Sequence, residues 1–289
     1  VVASGEIVDG DRTAGTVGGD SLAELLRQAR YDEDIKSVVL RIDSPGGSVM
    51  ASEVIRREVE ALKAAGKPVV ASMSSTAASG GYYIAMDADE IWANPATITG
   101  SIGVFGIVPT FDGTLGKLGV GTDGVGTTSI SGALRLDRPM SDTAKQIFQL
   151  AIEHEYAQFI DRVAHARNKS IDEVDLVAQG RVWAAQDAQQ HGLVDHLGLL
   201  EDAVKAAAER ARLGDDYSEE YLDEDQSWRQ ILAHQINTLS GRLTHVLIPE
   251  MNWTISLRQH LSSLDRELQR MQRFASKQQG YYYCACTVQ

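Results

Sequence analysis

The sequence predicts an α/β fold built around a parallel β-sheet. Short, β-branched apolar runs at residues 37–42 and 69–73 have the length and composition of buried strands. Residues 51–65 lie between them with apolar side chains at helical spacing, and Gly66 follows as a C-cap. A strand, a helix and a strand in this order indicate a parallel pair joined by a right-handed crossover.

The neighbouring segments extend this alternation in both directions along the chain. Residues 1–8 have the composition of a strand, and Asp20-Ser21 open a helix whose leucines recur at helical spacing. After the second buried strand, residues 78–86 are expected to form a short helix and residues 90–93 a strand.

A glycine-, threonine- and serine-rich region follows at residues 94–132, and helices dominate beyond residue 140. This glycine-, threonine- and serine-rich region contains short apolar runs such as 102–108, which indicate strands and loops of the kind that surround active sites. Ser170 and Glu173 have the spacing of a capping box. We expect helices at 141–167, from 170, at 185–191 and at 199–213, with a strand at 193–194.

Three regions are predicted along the chain. Residues 1–214 form the main domain, and residues 215–225 form an acidic, solvated linker. Residues 226–289 form a helical extension in which residues 257–271 carry a leucine-rich seam two heptads long. Such a seam can pack on the main domain or on another chain, and because two heptads alone are marginal we expect packing within the assembly.

Composition excludes several classes of protein. The chain has 289 residues, with 27 Lys and Arg against 40 Asp and Glu, so its formal net charge is −13. This balance argues against nucleic-acid binding, and no apolar run approaches the ~18 residues of a membrane span. Cys284 and Cys286 are too few for a disulfide framework and are expected in an exposed tail, so no metal or cofactor is predicted. Since the first residue is Val1 rather than Met, we expect a piece of a longer chain or a processed product.

Two glycine-rich turns follow neighbouring strands, at residues 43–48 (DSPGGS) and 77–82 (AASGGY). A phosphate-binding loop is one interpretation, but neither turn has the glycine spacing or the lysine of such loops. An oxyanion hole is a second, because paired glycines expose backbone N–H groups and Ser79 has small neighbours that admit a substrate carbonyl. A third interpretation is that Ser79 caps a helix in a close-packed turn.

A serine nucleophile needs a base, and the residues offer no convincing one. Lys63 and Lys67 lie at the end of a helix and are expected to be exposed, while Lys117 and Lys145 flank the glycine-rich region in polar stretches. No lysine occurs from 118 to 144. The histidines are expected on the solvated surface: His154, His165, His191, His196, His234, His245 and His260.

Four motifs in order resemble the signal peptide peptidase A (protease IV) family, the serine–lysine peptidases of family S49. They are DSPGGSV at 43–49, AASGGYY at 77–83, NPATITGSIG at 94–103, and the segment GRVWAAQDA through GLVD at 180–195. The resemblance covers about residues 1–225. It implies a ClpP/crotonase-like superhelix of repeated ββα units, to which the C-terminal helices are additional.

The resemblance also implies roles for the residues of the two turns. Ser79 matches the family's nucleophile. The oxyanion donors match the backbone N–H groups of Gly80 and of the Gly46-Gly47 turn, of which Gly47 is preferred.

The catalytic lysine is where this sequence departs from the short family members. Their lysine lies on a segment that corresponds here to residues 127–136 (TTSISGALRL), which contain none. Ser129 and Ser131 stand there, and a hydroxyl at this place could be a remnant or a supporting donor. In the long, tandem members the lysine lies in the N-terminal half, so this chain resembles a C-terminal half whose general base is in another part of the protein.

The function implied by the resemblance is degradation of remnant signal peptides by acyl-enzyme chemistry. The resemblance further implies a homotetramer at the periplasmic side of the bacterial inner membrane, held by an N-terminal anchor that this chain lacks. Two alternatives stay open. One is a non-catalytic scaffold of the same fold, and the other is a crotonase-type acyl-CoA enzyme, which would not need Ser79.

Overall fold

The computed structural model describes residues 1–12, 15–128, 130–133, 135–222 and 281–283. The strands are β1 (Val2–Ser4), β2 (Glu6–Val8), β3 (Thr16–Gly18), β4 (Val38–Ser44), β5 (Gly46–Ser48), β6 (Val69–Ala78), β7 (Glu90–Ala93), β8 (Ile98–Gly100), β9 (Val182–Ala184), β10 (His196–Leu197) and β11 (Tyr281–Tyr283). The helices are α1 (Gly19–Tyr31), α2 (Val49–Ala64), α3 (Gly80–Tyr83), α4 (Asp112–Lys117), α5 (Asp142–Ala166), α6 (Ile171–Val177), α7 (Ala185–Gln190) and α8 (Leu200–Arg210).

Five parallel strands form the main path of the larger sheet, in the order β1-β4-β6-β7-β10. β4 and β6 pair over the longest stretch, with Val38 opposite Val69 and Ser44 opposite Ala77. β8 pairs with the carboxyl end of β6, and β9 pairs antiparallel with β8. The predicted α/β class is confirmed, and the carboxyl ends of β4 and β6 lie side by side.

A smaller sheet has the strand order β11-β5-β2-β3. β2 follows β1 after Gly5, whose φ is +106°, and β5 follows β4 after Pro45. β2 and β5 pair in parallel through Ile7 and Gly47, and β11 pairs antiparallel with β5. The first two units of the chain therefore run from a strand of the larger sheet to the smaller sheet and then to a helix, which agrees with the ββα repeat that the resemblance implies.

The helix α2 holds these strand ends in place through its apolar face. Ile55, Val59 and Leu62 are fully buried in one cluster with Leu40 and Ile42 of β4. Burial of each such side chain contributes about 1.5–3 kcal/mol. The Ser48 hydroxyl caps the helix by accepting a hydrogen bond from an N–H one turn on. The segment between β4 and α2 is thus held by the packing of α2 on β4 and by the cap at the start of α2.

Several predicted elements differ from the observed ones. The expected turn at residues 43–48 is strand for most of its length, because β4 runs to Ser44 and β5 begins at Gly46. Residues 102–108 form no strand, and the strand expected at 193–194 lies at His196–Leu197. The capping box at Ser170 is present, and helices occupy most of 141–167, 185–191 and 199–213 as predicted.

The chain divides into two compact units, one of Val1–Asp223 with Gln279–Gln289 and the other of Glu224–Gln278. The predicted helical extension, apart from residues 281–283, and its leucine-rich seam lie outside the described residues, so the three-region division stays a prediction. None of the helices in the described part of the chain is both long and apolar enough to cross a membrane.

Candidate active site

Ser79 occupies the tight turn between β6 and α3. Its backbone has φ +56° and ψ −117°, a conformation that L-residues rarely adopt and that costs on the order of 1–3 kcal/mol. Two hydrogen bonds hold it there: the Ser79 N–H donates to Gly100 O at 2.8 Å, and the Ser79 carbonyl accepts from the Tyr83 N–H at 2.9 Å. A strained serine at the end of a central parallel strand indicates a functional position.

The Ser79 hydroxyl is buried without a hydrogen-bond partner. The residue has no exposed surface, and its Oγ accepts from and donates to none of the described residues. Burying a hydroxyl without a partner costs about 1–3 kcal/mol, so most buried hydroxyls are paired. The side chain of Ser79 therefore has the surroundings of a reactive group, whereas a capping serine would pair its hydroxyl with a backbone N–H. The helix-capping interpretation is not supported, because α3 has no side-chain cap from Ser79.

The two glycine-rich turns meet at Gly80. A Cβ placed on Gly80 would lie 3.1 Å from the Gly47 nitrogen and 3.2 Å from the Gly46 Cα. This approach follows from the pairing of β4 with β6, which sets Ser44 opposite Ala77. The backbone nitrogens of residues 47 and 80 therefore lie close to each other beside Ser79, as predicted from adjacent parallel strands.

Gly47 is held where no other residue fits. Its φ is +154°, and a Cβ at this position would lie 1.9 Å from the Ile7 carbonyl oxygen of β2. The neighbouring Gly46 has φ +101°, and its N–H donates to the Ser44 hydroxyl at 3.1 Å. The Gly47 nitrogen lies 3.1 Å from a Cβ placed on Gly80, beside Ser79, whereas the Gly46 N–H donates to Ser44, so Gly47 is the better candidate for an oxyanion donor in this turn.

Two further buried serines lie close to the site. Ser52 Oγ would be 2.7 Å from a Cβ on Gly80, and this hydroxyl donates to Ser48 O at 2.8 Å. Ser101 has φ +50° and is nearly buried, and its N–H donates to Arg181 O at 2.7 Å. Neither residue was predicted from the sequence as part of the site. A signal for Ser52 was present, since it stands four residues after Ser48 on the buried face of the predicted helix.

Tyr82 and Tyr83 anchor α3 through their hydroxyls. Tyr82 donates to Leu193 O at 3.1 Å, and Tyr83 donates to the carboxylate of Glu53 on α2 at 2.9 Å. Burial raises the pKa of both phenols above the ordinary value, and the Glu53 charge raises that of Tyr83 further. Both tyrosines therefore stay neutral donors around neutral pH.

Glu53 is the charged group nearest to this anchor. Burial opposes its ionisation, but hydrogen bonds from Arg56, Arg57 and Tyr83 outweigh burial and lower the pKa of its carboxyl to about 2. Arg162 of α5 adds an ion pair at 3.4 Å. Glu53 is thus ionised at neutral pH and joins α2 to α3 and α5.

No base reaches Ser79 within the described part of the chain. Lys117 and Lys145, which were predicted in polar stretches, are exposed, and Lys145 pairs with Asp142. Lys63 and Lys67 are partly buried rather than exposed, and their amines donate to the carbonyls of Asp87 and of Ala29 and Asp32, respectively. Among the described histidines, three are exposed and one is half-buried: His154, His165, His196 and, half-buried, His191.

The segment that corresponds to the family's lysine-bearing stretch lies at the surface. Ser131 is exposed, and its hydroxyl is within hydrogen-bond distance of the Thr128 hydroxyl and N–H, at 3.0 and 3.1 Å. The structure thus does not bring Ser131 to Ser79. Ser129, Cys284 and Cys286 lie outside the described residues, and no cluster of metal-ligating side chains occurs among those described.

Known protein families and proteins are similar in sequence to this chain. Residues 61–214 match the model of peptidase family S49. The chain is 45% identical to Protease 4 from Salmonella typhi over 250 residues, which cover 86% of this chain and 40% of that protein. It is 38% identical to the chloroplastic serine protease SPPA of Arabidopsis thaliana over 195 residues, which cover 67% of this chain and 29% of that protein. The chain thus spans less than half the length of either relative.

A comparison of structures finds a ClpP1 mutant from Listeria monocytogenes. It aligns with 71% of this chain and 93% of its own length, with a TM-score of 0.45 and 16% sequence identity.

Proposed function

This chain belongs to peptidase family S49, and we propose that it carries the nucleophilic serine of an endopeptidase that degrades remnant signal peptides through an acyl-enzyme. The observation that carries the proposal is the Ser79 hydroxyl, buried and unpaired in a strained turn beside the backbone nitrogens of Gly47 and Gly80. Strain and an unpaired hydroxyl both oppose folding, and a catalytic role accounts for their presence together.

The proposed reaction uses these groups in two steps. Ser79 Oγ attacks the carbonyl carbon of the scissile peptide bond while its proton passes to a neutral lysine amine. The N–H groups of Gly47 and Gly80 hold the oxyanion, and collapse of the tetrahedral intermediate breaks the C–N bond as the ammonium returns its proton to the leaving amine. A water molecule then attacks the ester carbonyl carbon of the acyl-enzyme while its proton passes to the same lysine amine. The ester C–O bond breaks as the ammonium returns this proton to Ser79 Oγ, which releases the second peptide and restores the Ser79 hydroxyl.

The lysine is proposed to come from an N-terminal half of the same protein. Within the described part of the chain no amine contacts Ser79, and the segment at 127–136 contains no lysine. The 40% coverage of the Salmonella typhi relative supports a protein about twice as long as this chain. A neutral lysine amine requires a lowered pKa, which burial against Ser79 would provide.

An exposed arm on this chain supports assembly with other chains. Residues 103–140 and the first half of α5 carry large apolar side chains at the surface, a pattern that favours an interface when such residues are contiguous. The most exposed are Ile107, Phe111, Leu118, Val125, Ile147 and Leu150. We propose that this arm contacts the lysine-bearing half and neighbouring copies in a homotetramer, anchored at the inner membrane with its site facing the periplasm.

Reconstitution tests the split site directly. The chain is produced alone and together with the N-terminal half, and cleavage of an extended apolar peptide with small side chains at the cut site is measured. We expect near-zero turnover by the chain alone and turnover by the pair, lost in Ser79→Ala and after replacement of the proposed lysine. Robust turnover by the chain alone would refute the split site, and turnover by the Ser79→Ala pair would refute the nucleophile.

A non-catalytic scaffold is the second candidate. The observation that favours it is the lack of a base at Ser79 among the described residues. In that case the reconstituted pair would assemble but would not cleave the peptide, and replacing Ser79 would change neither assembly nor turnover. Sedimentation of the pair alongside the cleavage assay separates the two candidates.

A further inference from the structure

The helices α2 and α3 each begin at one of the two proposed oxyanion donors. α2 starts at Val49, two residues after Gly47, and α3 starts at Gly80 itself. A rigid-body shift of one helix against the other therefore moves one N–H group relative to the other. Whatever fixes α2 against α3 also fixes the width of the oxyanion hole.

One side-chain hydrogen bond joins these helices close to the site. The Tyr83 hydroxyl at the last residue of α3 donates to Glu53 Oε2, and Glu53 lies one turn into α2. The Tyr83 ring is buried and packs edge-on against Phe159 at 5.0 Å between ring centroids. Because the buried ring cannot rotate freely, the Tyr83 hydroxyl moves only together with α3.

The Glu53 carboxylate is itself held from several directions. Arg56 Nε donates to Oε2 at 2.8 Å, Arg57 Nε donates to Oε1 at 2.8 Å, and Arg162 of α5 approaches Oε1 at 3.4 Å. Arg56 is nearly buried and also donates to Asp87 at 2.5 Å, just beyond α3. With both oxygens engaged, Glu53 has little freedom to follow a displaced Tyr83.

We propose that Glu53, through the Tyr83 hydroxyl, is a positioning residue that sets the spacing of the Gly47 and Gly80 N–H groups. The inference rests on the proposed function, since it concerns the oxyanion hole of that reaction. The N–H groups bind the oxyanion more strongly in the transition state than they bind the ground-state carbonyl. Loss of the spacing therefore lowers kcat and leaves KM nearly unchanged.

The test uses the full-length protein with Tyr83→Phe, which removes one hydroxyl and keeps the buried ring. Tyr156→Phe is the matched control, because Tyr156 on α5 donates to Asp175 at 2.6 Å and its carboxylate partner lies on α6 rather than on α2 or α3. We expect Tyr83→Phe to lower kcat about 10- to 100-fold with KM changed less than about 2-fold. Tyr156→Phe should keep the wild-type kcat.

A second readout distinguishes positioning from general loosening of the fold. A peptide boronate forms a tetrahedral adduct on the nucleophile, so its affinity should fall with kcat in Tyr83→Phe and in Glu53→Gln and stay unchanged in Tyr156→Phe. An unchanged kcat in Tyr83→Phe, or an equal loss in Tyr156→Phe, would overturn the inference. If Ser79→Ala retains turnover, the proposed function fails instead, independently of these variants.

Discussion

Replacing the proposed nucleophile should make the protein more stable. Ser79 has no exposed surface, and its Oγ has no partner among the described residues. An unpaired buried hydroxyl lowers the free energy of unfolding by about 1–3 kcal/mol, whereas a buried methyl group has no hydrogen bond to lose. Ser79→Ala is therefore expected to raise the free energy of unfolding by about 1–2 kcal/mol, while the proposed chemistry is abolished.

The backbone of Ser79 adds a second, separable contribution. At φ +56° an alanine is still strained, but a glycine is not. Relief of this strain contributes about 1–3 kcal/mol, against which the greater freedom of glycine in the unfolded chain costs about 0.4–1 kcal/mol. Ser79→Gly should therefore be at least as stable as Ser79→Ala.

Urea denaturation and thermal melting measure both effects. For a domain of this size, 1–2 kcal/mol corresponds to a rise in Tm of about 2–8 °C. Ser52→Ala is the matched control, because the Ser52 hydroxyl is equally buried but donates to Ser48 O at 2.8 Å. We expect this control to be destabilised by about 0.5–1.5 kcal/mol. A loss of stability in Ser79→Ala comparable to that in Ser52→Ala would show that the buried Ser79 hydroxyl does not destabilise the fold.

Three further predictions follow from the same geometry. Gly80→Ala should lower kcat at least about 10-fold in the reconstituted peptidase, since its Cβ would lie 3.1 Å from the Gly47 nitrogen; steady-state kinetics and a melting curve separate this effect from misfolding. Gly47→Ala should destabilise the fold by at least about 3 kcal/mol, because its Cβ would lie 1.9 Å from the Ile7 carbonyl oxygen; soluble yield and urea denaturation check it, and a wild-type midpoint would contradict it. Glu53, with a folded-state pKa of about 2, should stabilise the protein fully above its unfolded pKa near 4.5, and this contribution is lost as the pH falls towards 2. The stability advantage of the wild type over Glu53→Gln in urea should therefore shrink between pH 5 and pH 2, and a constant difference would contradict the assignment.

The meeting of the two glycine turns could be predicted from the sequence. Both turns follow short apolar strands separated by one helix, and parallel strands joined in this way place their carboxyl ends at one edge of the sheet. The structure agrees, because Ser44 lies opposite Ala77 and Gly80 lies against Gly47. The motifs around these turns also predicted the family, and the match of residues 61–214 to the model of peptidase family S49 confirms that family assignment.

Other features of the site depend on tertiary contacts that local patterns do not encode. The positive φ of Ser79 arises from its bonds to Gly100 and Tyr83, of which the first comes from a later strand. Residues 43–48 contain glycine and proline and so predict a turn, but pairing with β2 makes Gly46–Ser48 a strand. The Tyr83–Glu53 bond joins two residues that lie 30 positions apart in sequence on different helices, and no local spacing indicates it.

Covalent trapping shows most directly whether Ser79 is the nucleophile. The full-length protein is incubated with a peptidyl phosphonate, which reacts with activated serines, and the modified residue is located by mass spectrometry of the digested protein. We expect a single adduct on Ser79, absent from Ser79→Ala although that variant is expected to be folded and at least as stable as the wild type. An adduct on any other serine, formed with the same loss of peptidase activity, would contradict it.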